Sequence, residues 1–78
     1  HREDELIILK ELKEIFGTIN ESDTIRYVKQ LIVENNNIKS LEVGERLNSK
    51  FHRNWLRSSK MRYGNALLLW SKFLNDKF

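Results

Sequence analysis

Four runs of apolar residues spaced three and four apart, with no stretch that alternates, restrict this chain to helices. It has no proline, no Asn-Gly or Asp-Gly hairpin pair and no internal repeat. The first run predicts a helix over residues 3–16, with Leu6, Leu9, Leu12 and Phe16 on one stripe and Ile8 and Ile15 widening it. Glu3, Asp4 and Glu5 sit at its positive end, and Gly17 supplies a left-handed stop. The second predicts a helix over 23–35, capped by Asn20 or Ser22. It buries Ile25, Val28, Leu31 and Ile32, with Tyr27 beside them and Val33 pointing elsewhere. The run Asn35–Asn37 then reads as a turn, because asparagine tolerates left-handed backbone and competes for backbone hydrogen bonds.

The third helix is predicted over 40–50, with Ser40 as its cap and Val43, Leu47 and Phe51 as its buried stripe. Gly44 lies on that inner face, where it costs about 1 kcal/mol against alanine, so another helix is expected to cross close to the backbone there. The fourth helix is predicted from about Lys60 to Leu74, capped by Ser58 or Ser59. Tyr63, Ala66, Leu67, Trp70, Phe73 and Leu74 fall on one side, with Leu69 at its edge. The expected fold is a small all-α, four-helix domain over residues 1–78, containing a helix-turn-helix unit over 40–74. A winged-helix version would need a β-hairpin after residue 74, so the wing is absent or truncated.

Seventy-eight residues make one domain with a small core. The chain begins at His1 rather than Met, which predicts a segment of a larger protein with a tag remnant at its start. No apolar run approaches the ~20 residues of a membrane span, and no signal-peptide pattern is visible, so no membrane partner and a cytoplasmic location are expected. There is no cysteine, and a lone His52 in a basic loop offers no metal site. No Ser-His-acid grouping and no glycine-rich phosphate loop occur, and the acid pair Glu11/Glu14 lies on a solvent face. The segment is therefore expected to be no enzyme and to carry no cofactor.

The net charge of +3 hides a split: residues 1–45 carry −4 and residues 46–78 carry +7. No acid falls between Arg46 and Asn75. Such asymmetry is the footprint of a polyanion-binding face; the plainer alternative is that the two halves neutralise each other in the fold. Duplex DNA is the expected partner. Lys50, Arg53, Arg57, Ser58, Ser59, Arg62 and Lys72 are the candidate phosphate contacts. Lys60, Met61, Gly64, Asn65 and Leu68, on the outer face of the fourth helix, are the candidate base contacts. Gly64 would leave room for close approach, and Asn65 offers the paired donor and acceptor that reads an adenine edge. Trp55 reads as a plug pinning the loop against Trp70 or Phe51. Structured RNA would share the basic face but lacks an exposed aromatic platform. A second reading is a protein-interaction domain, a homodimer or a docking module for other domains of a parent protein, because Ile7, Val33, Met61 and Leu68 lie outside the main stripes.

Residues 53–74 also resemble a known unit. Arg53-Asn54-Trp55, Ser58-Ser59, Arg62-Tyr63-Gly64, Trp70 seven residues after the tyrosine and Leu74 are similar to the helix-turn-helix in the DNA-recognition part of type IIS restriction endonucleases. The preceding LEVGERLNSKF resembles its positioning helix. The likeness covers roughly the last 35 residues, under half of the chain. It implies a winged-helix-like module that binds target DNA while a separate Mg²⁺-dependent domain cuts it, and nothing in this chain resembles that nuclease motif.

Overall fold

The computed structural model describes the backbone of residues 2–77 and the side chains of residue 3 and residues 5–72. Within these the chain forms four helices and no strand: α1 (Arg2–Phe16), α2 (Glu21–Glu34), α3 (Ser40–Lys50) and α4 (Arg57–Lys77). The all-α expectation holds. Phe73 and Leu74, expected in the core, have side chains outside the described residues. No described helix is long and apolar enough to cross a membrane.

The chain's own capping chemistry explains most boundaries. Asn20 is the cap of α2, its side chain accepting from the Asp23 N–H at 3.0 Å. Thr24 follows, fully buried, its hydroxyl donating to the Asn20 carbonyl at 2.7 Å. The Asn35–Asn37 turn forms as expected: the Asn35 side chain accepts from the Asn37 N–H, and the Asn35 carbonyl accepts from the Ile38 N–H. Three expectations at helix ends are corrected. Gly17 is not left-handed; its N–H is shared between the carbonyls of Lys13 and Glu14 within a last tight turn. Lys39, not Ser40, is the N-cap of α3, and no side chain caps it. α4 begins at Arg57, with the Lys60 N–H bonded to the Leu56 carbonyl, so Ser58 and Ser59 lie in its first turn rather than capping it.

The core gathers Ile8, Leu12 and Ile15 from α1, Val28 and Leu31 from α2, Ile38, then Val43 and Leu47 from α3, and Ala66 and Leu67 from α4. Ile15, Val28, Val43, Leu47 and Leu67 are fully buried. On α1 the buried stripe is Ile8–Leu12–Ile15, and Leu6 and Leu9, expected in the stripe, face solvent. Apolar residues stand on nearly every side of α1's first half, so periodicity alone could not choose the buried side there. Val33 is also exposed, at 85%.

The hairpin of α3 and α4 is the tightest part of the fold. A Cβ at Gly44 would lie 2.6 Å from the Lys60 carbonyl carbon, and one at Gly64 would lie 2.8 Å from the Ser40 carbonyl carbon, each nearer still to the oxygen. Two glycines therefore let the backbones touch, as expected for Gly44. Nearer the turn, Asn48 meets Trp55. The pairs 48 with 55, 44 with 60 and 40 with 64 run in opposite senses, so the two helices lie antiparallel.

Candidate nucleic-acid interface

The turn between α3 and α4 is held from within. Arg53 N–H donates to the Asn48 carbonyl at 2.9 Å, closing the end of α3 in the manner of a Schellman motif. The residue before it, His52, takes the left-handed conformation with φ of 54°, where glycine is usual. Asn48 then uses both ends of its amide on one residue: Oδ1 accepts from the Trp55 N–H at 3.2 Å and Nδ2 donates to the Trp55 carbonyl at 3.4 Å. The Trp55 ring meets Tyr63 edge-on at 4.9 Å. That corrects its expected partners, since Trp70 meets Phe16 and Phe51 meets Tyr27. Arg53 reaches back across the molecule and donates to the Thr18 carbonyl at 2.5 Å, tying the turn to the α1–α2 connection.

These contacts fix which candidate residues share a face. Along α4 at 100° per residue, Arg57, Met61, Asn65, Leu68 and Lys72 form one outward stripe beside Ser58. Arg57, Ser58, Asn65 and Lys72 are exposed, and Met61 is 48% exposed. The exposed turn residues His52, Arg53, Asn54 and Leu56 lead into this stripe. No acid occurs in the first turn of α4, and its first amide groups have only the Leu56 carbonyl before them to begin the helical ladder.

Other candidates go elsewhere. Gly64 is buried against Ser40 and Gly44, so it opens space for α3 and not for a groove. Lys60 is half-buried with its backbone against Gly44, and Ser59 is half-buried. Leu68 is partly buried against the core, leaving only an edge outward. Arg62 is turned toward α1. Its Nε lies 3.0 Å from Glu11 Oε2, close enough for an ion pair although that buried oxygen has no hydrogen-bond partner. Its terminal nitrogen lies 3.9 Å from Glu14, whose carboxylate also accepts from the Tyr63 hydroxyl at 3.2 Å. Contact with the Tyr63 hydroxyl first, and Glu11 second, holds the guanidinium's pKa above its ordinary value. Glu11 and Glu14, expected on a plain solvent face, are thus this clamp's acids.

Lys50 is exposed but lies on the α2 side, its ammonium 5.6 Å above the Tyr27 ring. There it lines an open cleft of about 290 Å³ with Asp23, Arg26, Tyr27, Gln30 and Phe51. The phosphate candidates therefore divide into an outward group (Arg57, Ser58, Lys72) and a group engaged by the fold or half-buried in it (Arg53, held by the Thr18 carbonyl, with Arg62, Ser59 and Lys50). Asn48, which shapes the turn, was missed in the sequence reading. Its signal was a polar amide at the C-terminal end of an amphipathic helix just before a loop, a pattern that fits an ordinary exposed residue equally well. Among the described residues, no three His, Asp or Glu side chains gather as a metal site.

No protein-family model, curated protein or solved structure matches this chain.

Proposed function

We propose that this chain binds duplex DNA through the α3–α4 turn and the outward stripe of α4, as the recognition module of a larger prokaryotic protein, such as a restriction or defence enzyme. The observation that carries the reading is the line of exposed residues from His52 through Arg57, Ser58 and Met61 to Asn65 and Lys72, in a stretch of chain that contains no acid. Cations spaced along a helix and its approach loop suit phosphates on either side of a groove, where each contact releases condensed counterions. Asn65 and Met61 lie between them, one able to pair with an adenine edge and the other apolar enough to meet a thymine methyl. The strain retained at His52 adds support, because a left-handed residue other than glycine is commonest where the side chain has a task. The likeness of residues 53–74 to the recognition unit of type IIS restriction endonucleases points the same way. Gly64 and Arg62 leave the contact set, and Leu68 and Lys60 become its margin.

The test is fluorescence anisotropy of a labelled duplex at salt concentrations from about 50 to 200 mM. The wild-type chain is expected to bind with affinity falling steeply as salt rises. Arg57→Gln with Lys72→Gln should weaken all duplexes alike and flatten the logarithmic salt slope by about 2, at roughly 0.9 per lost phosphate contact. Asn65→Ala should instead cost roughly 1–3 kcal/mol at one base pair of a selected site. Equal affinity of wild type and the Arg57/Lys72 double variant would overturn the reading.

A further inference from the structure

Among the described residues, two side-chain hydrogen bonds join positions more than seven apart in sequence, and both tie the end of α1 to the α3–α4 turn or to the residue that supports it. In one, the Tyr63 hydroxyl donates to Glu14 Oε2 at 3.2 Å, while the Tyr63 ring stands edge-on to Trp55 of the turn at 4.9 Å. In the other, Arg53 of the turn donates to the Thr18 carbonyl at 2.5 Å. Thr18 is itself held in place. Its N–H and its hydroxyl both donate to the Ile15 carbonyl at 2.9 Å, and Ile15 is fully buried. The two ties thus leave one short stretch, Glu14 to Thr18, and reach the turn at two separate residues.

Both bonds lie at the surface, where water replaces a broken hydrogen bond and the net gain to folding is small. What they fix is direction. Asn48 closes the turn on itself through the Trp55 N–H and carbonyl, but it belongs to the same hairpin and sets no angle between the closed turn and the rest of the molecule. We infer that the end of α1 is the positioning element of the turn, with Glu14 acting through Tyr63 and Thr18 acting through Arg53. The exposed His52, Asn54 and Leu56 lie beside the two tied residues and take their direction from them. The helices of the hairpin stay formed without these ties; the aim of the turn is what is lost. Linkage makes the effect mutual, so a ligand that holds the turn also holds the end of α1. That the ligand is a DNA duplex rests on the DNA-binding reading; the coupling of α1 to the turn does not.

Amide hydrogen exchange, read by NMR on the whole chain, tests it in Tyr63→Phe and Glu14→Ala. The first keeps its ring and the second alters a side chain that is 46% exposed, so both should fold, as circular dichroism will confirm. Each should cut the protection of the Arg53 and Trp55 N–H groups roughly 2- to 12-fold, the span of one hydrogen bond, over and above any change at residues 44–48. Glu14→Gln loses the same charge as Glu14→Ala but keeps an oxygen that accepts from the Tyr63 hydroxyl, so it should restore protection. Tyr63→Phe combined with Glu14→Ala should be no worse than either alone, because both break one bond. Duplex binding gives a further readout. Tyr63→Phe removes no cation, so affinity should fall by a similar factor while the salt slope stays unchanged. Protection at Arg53 and Trp55 that ignores both Tyr63→Phe and Glu14→Ala overturns the inference. So does a loss shared equally by residues 44–48, or a Glu14→Gln protein no better protected than Glu14→Ala. A wild-type chain that binds no duplex overturns the DNA-binding reading alone, and the exchange result still decides the coupling.

Discussion

At the scale of single residues, the three glycines fall into two cases. Gly17 is not left-handed, and a Cβ on it would meet the Glu14 and Lys13 carbonyl oxygens at 3.4 and 3.5 Å, ordinary contact distances. Gly17→Ala should therefore raise stability by about 0.5 kcal/mol, by restricting the unfolded chain without straining the folded one. Gly44 and Gly64 are the opposite case. Alanine gains up to about 1 kcal/mol in helix propensity at either position, but its methyl would enter the backbone of the facing helix. The backbone on each side is already in a helix and cannot step aside alone. Gly64→Ala should lose about 3 kcal/mol or more. Urea denaturation of the three variants would order them, and a Gly64→Ala protein as stable as Gly17→Ala would mean that α3 and α4 do not touch. His52 completes the set. It holds a left-handed backbone that costs an L-residue about 1–2 kcal/mol, so His52→Gly should gain about 0.5–1 kcal/mol after glycine's greater unfolded entropy is subtracted. If His52 is retained for DNA, the same change should weaken duplex binding while the urea midpoint rises.

At the scale of elements, the turn between α3 and α4 depends on one side chain. Asn48 satisfies both the N–H and the carbonyl of Trp55, seven residues on, as a backbone strand would. Asn48→Ala leaves both groups of a half-buried residue without partners, which should cost about 2 kcal/mol. Asn48→Asp keeps the acceptor and loses the donor, so it should fall between the two. The variants should also broaden the Trp55 and Tyr63 ring resonances in NMR spectra, because their edge-on contact is set by the turn. Sharp, unshifted rings in Asn48→Ala would show that aromatic packing alone fixes the turn. Such long-range pairing explains what could be read beforehand. The existence of all four helices, the asparagine turn, the inner stripe of α3 and the crossing at Gly44 follow from local rules of spacing, capping and steric room. Which face of α4 turned outward did not. Gly64 and Leu68 fall on the outer side of a helical wheel centred on the bulkiest residues, whereas a second tight approach to α3 turns the outward face toward Arg57, Met61 and Asn65. Arg62 was misplaced for a related reason. Its acids lie some fifty residues earlier on α1, and charge counted along a sequence cannot distinguish a cation facing solvent from one facing a distant glutamate.

At the scale of the whole molecule, stability is unevenly spread. The α3–α4 hairpin has two close backbone contacts and the fully buried Val43, Leu47 and Leu67. α1 packs chiefly on α4, through the Phe16–Trp70 contact and the Arg62 clamp, with Ile8, Leu12 and Ile15 in the common core, and its first half shows Leu6, Ile7 and Leu9 to solvent. Its backbone amides near residues 5–7 are thus protected by helix formation and little burial, and short helices without tertiary packing are marginal in water. A chain of this size has ~4–12 kcal/mol in total, so fraying at one end consumes little of it. Native-state hydrogen exchange should then show a gradient. Amides of residues 44–48 and 64–70 should open only with global unfolding, those of α2 at intermediate cost, and those of the first half of α1 by local fraying several kcal/mol cheaper. Arg62→Ala removes the clamp and exposes the Glu11 carboxylate's side of α1, so it should speed exchange along α1 while leaving the α3–α4 amides at the new global limit. If α1 exchanges as slowly as α3, the four helices open together. The hairpin would then be no independent platform for the turn and stripe that face outward, and α1 would be as much a part of that platform as α4.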